Sequence, residues 1–330
     1  MRVRLAVVIL LVVTSGAAAV SAAAQGSGVT PEAAEQVARD YADANARNNA
    51  TLDVEGQAAI EDPPIRAIDD ATFREYRGRG QTSLGQDIRV EDRRIYVPQQ
   101  SGYPLRFLSS ERVVFGGEPA ARQLLLFVKT SESAPWRVSM AAQVVKASLP
   151  KLRTDSDGLA RLVGADAEPA LKVKPDALAP KLAKLWDSGR STSKTFEPGP
   201  LTTGAVDSFV QSLSATGIGQ ARVRFEFGPA EDRPVCFQTT GRGALCFFVV
   251  SVSERLRPRS GSAFVQPDNR QPLTGLVPPG EYRQVSYDRT AILVAKVPKR
   301  ADAAARIDVI GIYEGIVKAD AVSSTTTPVV

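Results

Sequence analysis

Trp136, Val138, Met140, Ala142 and Val144 alternate with Arg137, Ser139, Ala141 and Gln143. A period of two sends successive side chains to opposite faces of an extended chain, so this run predicts a half-buried antiparallel strand. It ends a series: residues 88–97, 105–115 and 123–130 are rich in β-branched and aromatic residues, and 131–135 is a polar turn. Helical signals precede them. Thr30 is a good N-cap, Pro31 suits the first helical position and Glu32 favours the positive end of the dipole. Ala34, Val37, Ala38, Tyr41 and Ala42 follow at helical spacing, a second helix is expected over 52–60, and a short third over 70–77 after Asp62-Pro63-Pro64.

The same order recurs. Leu178, Leu182, Leu185 and Trp186 make one helical stripe, and Thr202 or Thr203 caps another carrying Val206, Phe209, Val210 and Leu213. Strands are then expected around 222–227, 281–287, 290–297 and 306–318. Helices followed by a meander predict an α+β fold rather than α/β. We read two similar units, 26–150 and 171–322, each with N-terminal helices on a curved antiparallel sheet. Between them 151–170 reads as a connector, with the turn Asp155-Ser156-Asp157-Gly158, and 323–330 is a polar tail expected to be disordered.

The first residues set the compartment. Arg2 and Arg4 precede an apolar run over 5–13, and small residues follow up to Ala24. That order predicts a secretory signal peptide over 1–24, cut between Ala24 and Gln25, with Ala22 as the alternative site. An uncleaved anchor is the rival reading, because 5–24 is about the length needed to cross a bilayer. No Cys stands near the cleavage region, and no later stretch approaches 18 apolar residues, so the exported part is expected to be soluble.

Export bears on Cys236 and Cys246. Two apolar arms flank Thr239-Thr240-Gly241-Arg242-Gly243, a hairpin signal. Centred on Gly241, the hairpin sets the cysteines opposite one another, close enough for a disulfide. A two-residue Gly241-Arg242 turn would shift the register by one and separate them. Oxidising compartments favour the bridge; two buried thiols are the alternative. A redox pair lacks the C-x-x-C spacing.

Chemistry is harder to find. The chain has no His, which excludes Ser-His-Asp and Cys-His catalysis and His-ligated zinc. Two cysteines cannot make a four-thiolate metal site within one chain. The tetrads Ser148-Leu149-Pro150-Lys151 and Ser191-Thr192-Ser193-Lys194 have the S-x-x-K spacing of penicillin-recognising enzymes, but one holds Pro and the other follows a loop-like stretch. In EF-hand register, Asp155-Ser156-Asp157-Gly158 would put Arg153 and Gly164 at ligand positions, so a simple turn is the better reading. The acid pairs Glu61-Asp62, Asp69-Asp70 and Glu91-Asp92 could serve hydrolysis only if two carboxylates faced one cleft. Gly78-Arg79-Gly80 and Gly217-Ile218-Gly219 are bare turns without a nucleotide fingerprint. Lys+Arg 41 against Asp+Glu 36 is a small excess. The clusters Arg74/Arg77/Arg79, Arg89/Arg93/Arg94 and Arg255/Arg257/Arg259 are interrupted by acids, which argues against nucleic acid and leaves contact with anionic headgroups as a minor alternative. Trp136 and Trp186 read as core, with pocket lining as the alternative.

The layout resembles the cystatin-like, or nuclear-transport-factor-like, α+β roll. The capped Thr30-Pro31 helix, Tyr103-Pro104-Leu105-Arg106-Phe107, Leu125-Leu126-Phe127 before Pro135-Trp136-Arg137, and Ile307-Asp308-Val309-Ile310-Gly311-Ile312 make the chain similar to a family of uncharacterised secreted proteins and lipoproteins of high-GC Gram-positive bacteria. The sequence departs from the lipid-anchored members in having no lipobox Cys. The resemblance implies no catalytic residue, no cofactor and no metal. The expectation is an exported, non-catalytic envelope protein that binds an apolar small molecule or another envelope protein. A hydrolase or isomerase using buried carboxylates is one alternative. An assembly factor held by an uncleaved anchor is another.

Overall fold

Thr30 starts the first helix as its spacing predicts: its hydroxyl oxygen accepts the Ala33 N–H at 3.2 Å. Helix α1 (Pro31–Thr51) ends where Leu52 turns left-handed, and Asp53 caps α2 (Val54–Ile60). Pro63 and Pro64 then break the helix, and α3 (Ile65–Gly78) begins five residues before the expected start, because Pro64 itself is its N-cap. The computed structural model describes residues 28–85, 88–115, 121–145, 149–163, 171–214, 221–259, 275–278 and 280–323. The expected signal segment 1–24 with its expected cut between Ala24 and Gln25, Ser148, the expected turn Gly217-Ile218-Gly219 and residues 324–330 of the expected tail lie outside the described residues, while Ser323, the first residue of that tail, is in a strand.

Strands β1 (Ile88–Tyr96), β2 (Leu105–Phe115), β3 (Ala121–Lys129) and β4 (Arg137–Val144) form an antiparallel meander. After the short β5 (Leu162–Val163) come α4 (Leu178–Asp187) and α5 (Thr203–Ser214). The remaining strands are β6 (Ala221–Pro229), β7 (Val235–Gln238), β8 (Ala244–Pro258), β9 (Tyr282–Val297) and β10 (Asp308–Ser323). Asp288 and Arg289, expected to separate two strands, lie inside β9. The Ser253 hydroxyl donates to Asp288 at 2.6 Å and Arg289 meets Glu254 at 3.3 Å, so cross-strand partners carry the ladder past them.

The molecule is α+β with one large antiparallel sheet, ordered β1-β2-β3-β4-β10-β9-β8-β7-β5, with β6 also on β8. The two meanders meet where Val144 and Gln143 pair with Gly311 and Ile312. Residues 152–163 join both ends of this order. Leu162 and Val163 pair with β7, while Ala160 exchanges two 2.8 Å backbone hydrogen bonds with Val97 and Gln99 just beyond β1. Backbone pairing therefore runs round a closed ring.

Burial explains the continuous apolar run of β8. Leu245, Phe247 and Val249 belong to a core shared with α1, α3 and β2–β4, while Ala244, Cys246, Phe248 and Val250 face α4 and α5. Covering both faces removes the polar alternation of a half-exposed strand. On α4 the expected stripe, Leu178, Leu182, Leu185 and Trp186, is buried. On α5, Val206 is buried but Val210 is exposed, so the apolar face there is narrower than its spacing suggested. Cys236 and Cys246 are directly opposed and bridged, beneath a loop closed by Thr239 N–H to Gly243 O at 2.9 Å. No helix among the described residues is long and apolar enough to cross a membrane.

Candidate functional site

The inward face of α1 is apolar at Ala34, Ala38 and Tyr41, then changes character at Asn45 and Asn48. These two amides meet a buried glutamine of α2: Asn48 Nδ2 donates to Gln57 Oε1 at 3.1 Å, and Gln57 Nε2 donates to Asn45 Oδ1 at 3.0 Å. One turn further on, Glu61 caps α2. Its backbone bridges Val138, and the next N–H, of Asp62, donates to Val138 O at 2.9 Å. That anchoring on β4 drives the Glu61 side chain inward, where it is 0 % exposed.

Asp69 comes from α3, at 8 % exposure. The two carboxyls are neighbours, and a chain of phenols flanks them. The Tyr41 hydroxyl donates to Glu61 Oε1 at 2.7 Å, the Tyr313 hydroxyl of β10 donates to Asp69 Oδ1, and Gln57 Nε2 donates to Asp69 Oδ2 at 3.4 Å. Gly315 permits this approach of β10 to α3, since a Cβ there would overlap Ile68. Glu61 Oε2 has no hydrogen-bond partner. The Glu61 carboxyl neighbours the Gln57 amide and the Asp69 carboxyl, and two carboxyls hydrogen-bond to each other only when one carries a proton. Burial, followed by the Asp69 charge, holds the Glu61 carboxyl well above its ordinary range. Burial likewise lifts Asp69 to about 6, against the lowering pull of the Tyr313 hydroxyl. Both phenols are pushed up, first by burial and then by the adjacent acids. The pair is thus built to keep one proton near neutral pH.

Above the pair lies a cleft of about 430 Å³, between α1, α3 and the sheet. Asp69, Tyr41, Asn45, Gln123, Gln143 and Tyr313 supply polar groups, and Ile65, Phe73, Val90 and Leu125 supply apolar walls. Glu111, also on the lining, is held by Arg93 Nε at 2.7 Å and the Ser109 hydroxyl at 2.9 Å. The volume is in the range of small-molecule sites.

Of the three acid pairs, one member each of Glu61-Asp62 and Asp69-Asp70 comes together, while Glu91 and Asp92 are exposed on β1. Asp62 instead meets Arg137 at 3.0 Å. Asp155 Oδ1 accepts the N–H groups of Asp157 and Leu159, a plain turn. Ser193 Oγ accepts from Thr195 and Phe196 N–H in a loop, and Lys194 is exposed. Several of the clustered arginines have partners within the chain: Arg77 on Leu52 O, Arg79 on Glu75, Arg93 on Glu111, Arg255 on Glu226 and Arg257 on Gln284. Trp136 packs on Phe107 at 5.0 Å, and Trp186 on Phe209 and Phe227. Tyr41 was visible in the sequence only as part of the α1 stripe, and nothing there marked Gln57 or Tyr313. The available signal was polar residues at core-facing helical positions: Asn45 and Asn48 continue the Tyr41 stripe.

Two curated relatives match part of the chain. An uncharacterised lipoprotein of Streptomyces avermitilis is 27% identical over 174 residues, covering 53% of this chain and 50% of the relative. An uncharacterised lipoprotein of Streptomyces coelicolor is 24% identical over 183 residues, covering 56% and 54%. The chain spans about half the length of the curated relatives it matches. No solved structure matches it. The family model of a domain of unknown function, DUF8094, matches residues 26–321, and the chain belongs to that family.

Proposed function

We propose that the protein is an exported, envelope-associated binding protein that holds a small molecule in the α1–α3 cleft without transforming it. The observation that carries this reading is the cleft itself: a built polar floor beneath apolar walls. The leader-like residues 1–24 and the lipoprotein names of the two Streptomyces relatives support the compartment. Large exposed apolar side chains among the described residues are Tyr103, Val145, Val210 and Val322, on four different segments, which gives a docking scaffold less support. We also read residues 26–150 and 171–322 as two similar roll-like units, each a set of helices followed by a meander.

Acid–base catalysis is the second reading, favoured by the Glu61–Asp69 pair, since carboxyls that share a proton supply an acid and a base together. Against it, Glu61 is fully buried and only Asp69 lines the cleft. The two carboxyls are also too close for the roughly 5 Å separation that glycosidases use. Native mass spectrometry of the protein from an exporting host tests the binding reading. A small-molecule adduct lost on denaturation, and absent from Ala42→Trp, which fills the cleft, is the expected result. An adduct retained by Ala42→Trp overturns it.

A further inference from the structure

We infer that the cleft is selective for an organic ammonium ion with an apolar body, held by the Asp69 carboxylate and the aromatic rings around it. This rests on the cleft being a binding site and adds the class of ligand.

The charges facing the cleft are known from every element packed on it. Helix α1 presents Tyr41, α3 Asp69 and Tyr76, β2 Glu111, and β10 Tyr313, and the end of α2 places Glu61 behind Asp69, off the lining. Glu111 is neutralised by Arg93, which also reaches Glu35 at 3.4 Å. Asp70 is met by Arg66 at 3.6 Å. No Lys or Arg lines the cleft among the described residues. The charges acting most strongly on Glu61 and Asp69 are acids, Asp69 on the one and Asp70 on the other. With one proton between them, the pair keeps about one negative charge without a countercharge. Burying such a charge is costly, and a cation that brings its own charge into the cleft relieves that cost. Glu61 Oε2 is buried without a hydrogen-bond partner, while the neighbouring Asp69 lines the cleft.

The walls fit the same ligand. Tyr41, Phe73, Tyr76 and Tyr313 put four rings on the lining, and ring faces attract cations. Tyr76 already does so for a cation of the chain: the Arg79 guanidinium lies 5.4 Å from its centroid while paired with Glu75. Ile65, Val90 and Leu125 take the apolar body, and an anion would meet no cationic partner. Binding also has a proton balance. A cation on Asp69 favours its ionised form while Glu61 keeps its proton, so below about pH 6 a proton leaves Asp69 for solvent as the ligand enters.

Three probes of one shape decide the matter: 2-phenylethylamine, 2-phenylethanol and 3-phenylpropionate, titrated calorimetrically into the intact protein at pH 5 and pH 8. The amine alone is expected to bind, about tenfold more tightly at pH 8, because a site about one-tenth ionised at pH 5 weakens apparent affinity by that fraction. Glu61→Gln leaves Asp69 buried, so the tenfold preference for pH 8 is expected to persist in it, whereas Asp69→Asn, which removes the carboxylate, is expected to lose the amine's advantage over the alcohol. Ala42→Trp should abolish binding. Equal or tighter binding of the alcohol or the carboxylate, abolished by Ala42→Trp, overturns the ammonium inference and leaves the cleft as a site. Amine binding that survives Ala42→Trp overturns both, and failure of all three probes to bind overturns the inference.

Discussion

The two helical layers cover the same sheet with opposite chemistry. Under α1–α3 lie all the buried carboxylates among the described residues, Glu61, Asp69, Glu75 and Glu111, with Asn48, Asn49 and Gln57 beside them. Under α4 and α5 the buried side chains are Leu178, Leu182, Trp186, Phe196 and Phe248 with a disulfide, and the only buried polar residues described in that half are Thr202, Thr203 and Thr239. One layer is dry and covalently stapled; the other holds titratable groups that must find partners. Glu61 and Asp69, the nearly fully buried carboxyls that are raised, lie in the second kind of layer, where Asp69 lines a cavity. Both halves bury an apolar core, but the buried titratable groups are confined to the one under α1–α3.

The contrast can be broken most forcefully in the dry half. Phe248→Ala, at a fully buried position, should cost about 3–5 kcal/mol by loss of contacts and an unfilled cavity. Urea unfolding should report nearly the same loss at pH 5 and pH 8. A strong pH dependence would mean that the halves are electrostatically coupled. Next comes the staple. Removing the Cys236–Cys246 bridge, which closes a short loop, should cost about 3 kcal/mol. Denaturant midpoints with and without reductant measure it, and an unchanged midpoint would deny the bridge its stabilising role.

The smallest effect should come from the wet half and should depend on pH. Asp69 binds its proton more tightly folded, with a pKa of about 6, than at its ordinary value of 3.8. A raised carboxyl contributes stability that is complete below pH 4 and is lost as pH rises through about 6. Glu61 is raised as well, so its contribution is lost in the same direction. Wild-type stability should therefore fall between pH 4 and pH 7, and Glu61→Gln should flatten that fall. Glu61→Leu, which leaves the Tyr41 hydroxyl without its acceptor, should cost about 1–3 kcal/mol. A wild-type curve that rises over this interval would show both carboxyls ionised in the fold.

Local signals carried much of this structure. The Thr30 cap, the Trp136–Val144 alternation and the Leu178–Trp186 stripe depend on neighbours within a few residues, and each stands where its spacing placed it. Joining both meanders into one sheet depends on Gly311 meeting Val144, and no local pattern encodes that pairing. The site divides the same way. Glu61 and Asp69 were visible as members of acid pairs, but their partner Tyr313 is 244 positions from Asp69 and sits in an apolar strand with nothing to mark it. A hydroxyl on a core-facing ring looks like packing until the carboxylate opposite is known. The start of α3 was missed because Pro64, beyond the end of α2, also serves as the N-cap of the next helix.

The middle segment has a further consequence. Residues 152–163 take up backbone groups of β7 on one side and of the chain just past β1 on the other. Without them, β7 would present a row of unpaired N–H and C=O groups, and exposed strand edges recruit strands from other molecules. A stretch that joins two halves in sequence therefore also acts as a selvedge. It keeps this edge from pairing with the strands of neighbouring molecules.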